Sequence, residues 1–215
     1  MMKKLLVLPI IAAISACSII GAMGGKVPAN LVNENQNLVL AYKAAATSVL
    51  SGQKDLAVAL DLNDSVKELD GQLEALKSGN ITGGTVEKTT ELSESINKKL
   101  KEKLASNKTL SSEAKVYAAK GLGEYAIGTA STAVLLNSAK NLVSSSKKAM
   151  SADGVTPLDK AAIAENMVIG STVLTQVPSL TKDLVSAGKQ FIQFAKSNGV
   201  DTKAAQKKMS NIAGF

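Results

Sequence analysis

Serine followed three residues later by lysine occurs seven times: Ser51/Lys54, Ser95/Lys98, Ser112/Lys115, Ser144/Lys147, Ser145/Lys148, Ser179/Lys182 and Ser186/Lys189. On a helix that spacing is about one turn, and a neutral lysine amine so placed can take the proton of a serine hydroxyl, the opening step of acyl transfer in Ser-Lys enzymes. Frequency weakens the pattern: 22 serines and 25 lysines in 215 residues give about 2.6 such pairs by chance. A lysine on a solvated helix face also stays protonated near neutral pH, and the companion motifs of penicillin-binding enzymes are missing. The pairs are therefore read as solvated helix faces.

Asp61, Asn63 and Asp64 have the beginning of a calcium loop, but no glycine stands at the sixth position and Gln72 stands at the twelfth. Asp153-Gly154 fails as well, because Val155 and Pro157 occupy ligand positions. No metal or cofactor is expected. Two acids sit in apolar surroundings: Glu124 beside Tyr125, and Glu165 beside Asn166. A charge on a helix without a polar face must be paired, neutral or lining a cavity. These four residues form the candidate pocket, a polar spot in apolar surroundings. The competing and favoured reading is a lysine partner or an edge at solvent.

Composition narrows the chemistry further. All 25 basic residues are lysine, and histidine, arginine and tryptophan are absent. The chain thus lacks the usual general acid/base, the usual transition-metal ligand and the bidentate clamp for phosphate. Nucleic-acid readers rely on arginine and aromatic stacking, and aromatics are only 3% of this chain; no nucleic-acid partner is expected.

The remaining reactive group is Cys17, the only cysteine. It follows Met1-Met2-Lys3-Lys4, an apolar run from Leu5, and then Ile14-Ser15-Ala16. A basic start and an apolar stretch are the parts of an export signal. The stretch resembles the signal peptide and lipobox of bacterial lipoproteins. That resemblance implies a signal peptide at residues 1–16, cleavage before Cys17, and a diacylglyceryl group on its sulfur with acylation of the freed amine. Two or more acyl chains hold a protein stably where one holds it only marginally. Ser18 follows the cysteine where retention in the inner membrane calls for aspartate, so the resemblance implies the outer membrane. Two other readings fit the same residues. Cleavage at the small-residue site would release a soluble periplasmic protein. The uncharged stretch from Leu5 to Gly24 is also about the ~20 residues that span a bilayer, so it would serve as an uncleaved anchor.

Residues 17–29 read as the lipidated cysteine and a short tether, interrupted by Gly21, Gly24, Gly25 and Pro28. Residues 30–215 read as one all-α domain, an antiparallel bundle of six to eight helices. Seven segments carry apolar positions at helical spacing: 30–50, broken by Ser51-Gly52; 53–77, with Leu62, Val66, Leu69, Leu73 and Leu76 as its stripe; 85–106, after a Gly83-Gly84 turn; 112–150, capped by Thr109 or Ser111; one beginning at the Thr156-Pro157-Asp159 start signal and ended by Pro178; one capped by Ser179 and stopped at Gly199; and 201–212. The helix after Pro157 is apolar almost all round, as a central helix would be. In the long helix 112–150, Tyr117, Gly121, Gly128 and Ser131 lie near one face, where a neighbouring backbone can come close. Phe215 is similar to the terminal aromatic of outer-membrane barrels, a coincidence where no strand is expected.

The expected function is a membrane-anchored periplasmic lipoprotein acting as a non-enzymatic scaffold or interaction partner in the cell envelope. Its partners would be the membrane, through the acyl chains on Cys17, and an envelope protein. The alternative is a carrier holding a lipid or small hydrophobic ligand in a bundle cavity.

Overall fold

Apolar positions stepping by three and four along the chain become six helices. The computed structural model describes residues 25–106 and 109–212. The helices are α1 (Ala29–Ala59), α2 (Asn63–Ser78), α3 (Gly83–Leu104), α4 (Ser112–Met150), α5 (Pro157–Ser197) and α6 (Lys203–Met209), and no strand occurs among the described residues. The all-α bundle read from the sequence is the fold. Cys17, the lipobox before it and Phe215 lie outside the described residues.

Capping follows the expected chemistry at several ends. The Asp159 amide donates to Thr156 Oγ1 at 3.2 Å and the Thr156 amide donates to Asp159 Oδ2 at 3.0 Å, a reciprocal box that starts α5 with Pro157 in the first turn. Ser111 Oγ accepts from the Ala114 amide at 3.1 Å and starts α4. Gly199, at φ 74°, ends α5: the Val200 amide donates to the Ala195 carbonyl and the Gly199 amide to the Lys196 carbonyl, both at 2.9 Å. That is the left-handed cap glycine favours.

Four local expectations are corrected. Ser51-Gly52 does not break a helix, because α1 runs through it. The break falls nine residues after Gly52, where Asp61 at φ 57° closes the same left-handed cap, with the Leu62 amide on the Ala57 carbonyl at 2.9 Å. Gly83 and Gly84 form the first turn of α3 rather than a connecting turn, with Thr82 as its cap. Pro178 does not end a helix: it lies inside α5, which is 41 residues in all, about 61 Å at 1.5 Å per residue. The turns on either side are held by Val177 and Leu180, both buried. Finally, the start of α5 is one-sided rather than central, since Ala161, Ala164, Glu165 and Val168 are exposed.

Glycine decides the most extensive helix pairing, that of antiparallel α1 and α4. A Cβ at Gly52 would lie 2.4 Å from the Tyr125 amide nitrogen, one at Gly121 2.8 Å from the Gly52 carbonyl oxygen, and one at Gly128 2.5 Å from the Val49 amide nitrogen. The two backbones touch there, and any side chain would push them apart. Asp55 and Lys120 bracket the contact with a 3.1 Å ion pair. On the other side of α4, antiparallel α5 places Gly170 against Leu142 and Val143, and Thr181 Oγ1 donates to Thr132 Oγ1 at 2.9 Å. Around these lies an aliphatic core, including Leu38, Leu50, Leu69, Leu76, Ile96 and Leu184, with Tyr125 and Phe191 meeting edge-on at 5.3 Å.

Candidate functional site

Where α1, α3, α4 and α5 converge, the aliphatic core holds a connected polar group. It begins at Gln53 on α1, which has no exposed surface. Gln53 Nε2 faces three acceptors on α3: the Ser93 carbonyl at 2.8 Å, Ser93 Oγ at 2.9 Å and Asn97 Oδ1 at 2.8 Å. From α4, the Tyr125 hydroxyl reaches Asn97 Oδ1 at 3.2 Å and the Leu184 carbonyl at 3.1 Å. Asn97 Nδ2 donates to Asp183 Oδ2 of α5 at 2.6 Å, and Lys101 Nζ holds the other carboxylate oxygen at 3.0 Å. Asn97 thus joins all four helices. Within this group, Gln53 Oε1 is buried without a hydrogen-bond partner.

Burial sets the electrostatics. It pushes the Tyr125 phenol well above its ordinary range, the nearby Asp183 charge adds to that, and the hydrogen bond to Asn97 opposes it. Glu94, one position after Ser93, has its carboxyl raised first by burial and then by the charges of Asp183 and Glu91. Tyr42 is raised to about 12 by burial, with the Thr89 side chain opposing. A phenol held protonated this firmly and shut off from solvent is a structural donor, and Asp183 is occupied by an amide and an ammonium. The group ties helices together, buried at Gln53, Asn97 and Tyr125 and reaching solvent through Asp183 and Lys101.

The four pocket residues read from the sequence do not come together. Tyr125 belongs to the polar group just described. Asn166 lies in a second polar contact, where it accepts from Asn35 Nδ2 at 2.9 Å and donates to the Leu31 carbonyl at 3.2 Å. Its place on α5 is 18 residues from Leu184, the level of the Tyr125 hydroxyl, which is about 27 Å along the helix. Glu124 is half-buried and Glu165 exposed. The seven serines of the Ser-Lys pairs are all exposed or half-buried, and Lys54 is engaged with Asp70. No group of three potential ligands among histidine, cysteine, aspartate and glutamate is placed to hold a metal among the described residues.

Gln53, Ser93, Asn97 and Asp183 were not anticipated from the sequence. The signal was present on α3, where Val86, Thr90, Ser93, Asn97 and Leu100 step by four, three, four and three. Polar members of a buried stripe announce interior hydrogen bonds.

A cavity between Tyr42, Val49, Thr89, Ser93, Leu135 and Val177 offers about 20 Å³ to the centre of a water molecule. That is room for about one water, not for an acyl chain. On the outside, Glu124 and Lys140 are separated by fifteen residues of α4 with no charge, and Ile127 and Val134 stand 38% and 60% exposed among them. Among the described residues, no helix is long and apolar enough to cross a membrane. Comparison with family models, curated proteins and solved structures finds nothing that matches the chain.

Proposed function

We propose that the chain is a lipoprotein, anchored through Cys17 to the periplasmic face of the outer membrane, that acts as a non-enzymatic scaffold or interaction partner in the cell envelope. The observation that carries the reading is Ile14-Ser15-Ala16-Cys17 behind Lys3-Lys4 and an apolar run. The helical body is consistent with it in two respects. Its interior polar groups are spent on joining helices, and the uncharged exposed face of α4 is the kind of surface a partner protein covers. The alternative, a carrier for a lipid or small hydrophobe, draws no support from the cavity beside Tyr42, which takes about one water.

Fractionation tests the anchor and co-purification tests the role. A Cys17→Ser chain is expected in the soluble periplasmic fraction, and the wild type in the membrane. Wild-type protein extracted in mild detergent is expected to bring a stoichiometric envelope protein. Tightly held lipid in place of that protein would favour the carrier, and membrane retention of Cys17→Ser would remove the lipoprotein reading.

A further inference from the structure

The structure fixes where the tether leaves the bundle. Gly25 packs against the first turn of α5, where a Cβ on it would lie 2.3 Å from the Leu158 carbonyl oxygen and 3.1 Å from Ala162 Cβ. The next amide, Lys26 N, donates to Asp159 Oδ1 at 2.6 Å. That bond, more than those from Thr156, holds the Asp159 carboxyl below its usual range. The chain is therefore held against α5 from Gly25 onward, four residues before the sequence boundary at residue 29. Gly25 is eight steps along the chain from Cys17, at most about 28 Å when extended. The pinned point lies at one end of a bundle whose longest helix is about 61 Å.

The two ends of the bundle differ in chemistry. At the tether end Leu158 is 57% exposed beside the pinning site, and half-buried Val155 precedes it in the α4–α5 connection. Lys26, Lys147, Lys148 and Lys160 are exposed at the same end, with Asp153 as the exposed acid of the connection and Asp159 engaged in the α5 cap. The opposite end mixes its lysines with five exposed acids: Asp61, Asp64, Glu102, Glu113 and Asp201. An exposed apolar side chain with lysines at the same end of the bundle suits the boundary between acyl chains and anionic headgroups, with Leu158 entering the interface and the lysines drawn to its charge.

Resting on the lipoprotein reading above, we infer that the α4–α5 end is a lipid-contacting face. The bundle is seated on the bilayer by Leu158 and the lysines at that end, with the opposite end turned into the periplasm. The acyl chains hold the protein on the membrane, and this face orients it.

Depth-resolved fluorescence tests the orientation. The full-length lipoprotein carrying Leu158→Cys, or Ala105→Cys at the opposite end, is labelled with an environment-sensitive fluorophore. It is then reconstituted into phosphatidylethanolamine vesicles containing phosphatidylglycerol. With Cys17 consumed by its thioether, the introduced thiol takes the label. Quenching by a lipid-borne nitroxide at 158 is expected to exceed that at 105 by about threefold or more, and a Lys147→Glu, Lys148→Glu, Lys160→Glu background is expected to lower it. Equal lipid quenching at both sites, with both open to aqueous iodide, overturns the seating while leaving an acylated Cys17 intact. An unmodified Cys17 in the mass spectrum of the same sample removes the anchor and the seating together.

Discussion

Asn97 is the side chain on which the interior polar group turns. Replacing it with alanine removes one partner each from Gln53 and the Tyr125 hydroxyl inside the core and from half-buried Asp183. An unpartnered buried group costs about 1–3 kcal/mol, so Asn97→Ala is expected to lower the unfolding free energy in urea by about 2–3 kcal/mol or more. Ser146 is the contrast: it is fully buried with Oγ unpartnered. Ser146→Ala is expected to be neutral or stabilising by up to about 1 kcal/mol. The acids Glu94 and Asp159 carry opposite pH signatures. Glu94 is raised in the folded state, so its contribution is present at acid pH and is lost as pH rises through its folded value. Glu94→Gln is therefore expected to raise the melting temperature at pH 7, and the gain should vanish once the pH falls below the carboxylate range. Asp159 is lowered, so its contribution holds above its unfolded value and is lost as pH falls through the folded one. Asp159→Asn is expected to destabilise at pH 7 and to match the wild type in acid. Of the four pocket residues, the environments of Glu124, Tyr125, Glu165 and Asn166 were not legible from the sequence. Burial depends on which helix lies across, and spacing along one helix does not specify its neighbour.

Glycines and one proline mark where packing overrides local preference. Gly52 and Gly128 sit where α1 and α4 backbones meet, whereas a Cβ at Gly71 or Gly123 would find nothing within 4 Å. Glycine inside a helix costs about 0.5–1 kcal/mol relative to alanine. Gly71→Ala and Gly123→Ala are therefore expected to stabilise by about that amount, and Gly52→Ala and Gly128→Ala to destabilise by about 1–3 kcal/mol through overpacking. Circular dichroism melts of the four variants decide the matter. Proline inside a helix forfeits a hydrogen bond and costs about 3 kcal/mol, so Pro178→Ala is expected to gain up to about that much, with α5 unbroken in both. The same positions explain what the sequence disclosed about the elements. The cap at Thr156, the stop at Gly199 and the stripe Leu69, Leu73, Leu76 are local chemistry and legible in the sequence, and Ser111 is one of the two α4 caps that the sequence offers. The ends of α1 and α5 were misread because Gly52 is retained for a contact in α4, Asp61 performs a turn usually given to glycine, and Pro178 is carried by the packing of Val177 and Leu180.

At the scale of the whole molecule, three long helices in contact, α1, α4 and α5, make a rod with a pinned tether at one end and an uncharged exposed face along α4. Placing a charge on that face, as in Val134→Glu, is expected to leave the fold intact, since the side chain is already in water, and to weaken co-purification of an envelope partner. A circular dichroism melt and a quantitative pull-down separate the two effects. Everything proposed about location returns to one sulfur atom. The most direct measurement is the mass of the N-terminal peptide of mature protein taken from its native membrane. The account predicts a chain beginning at Cys17 that carries a diacylglyceryl thioether and an acylated amine. A chain beginning elsewhere, or a free thiol at Cys17, would contradict it.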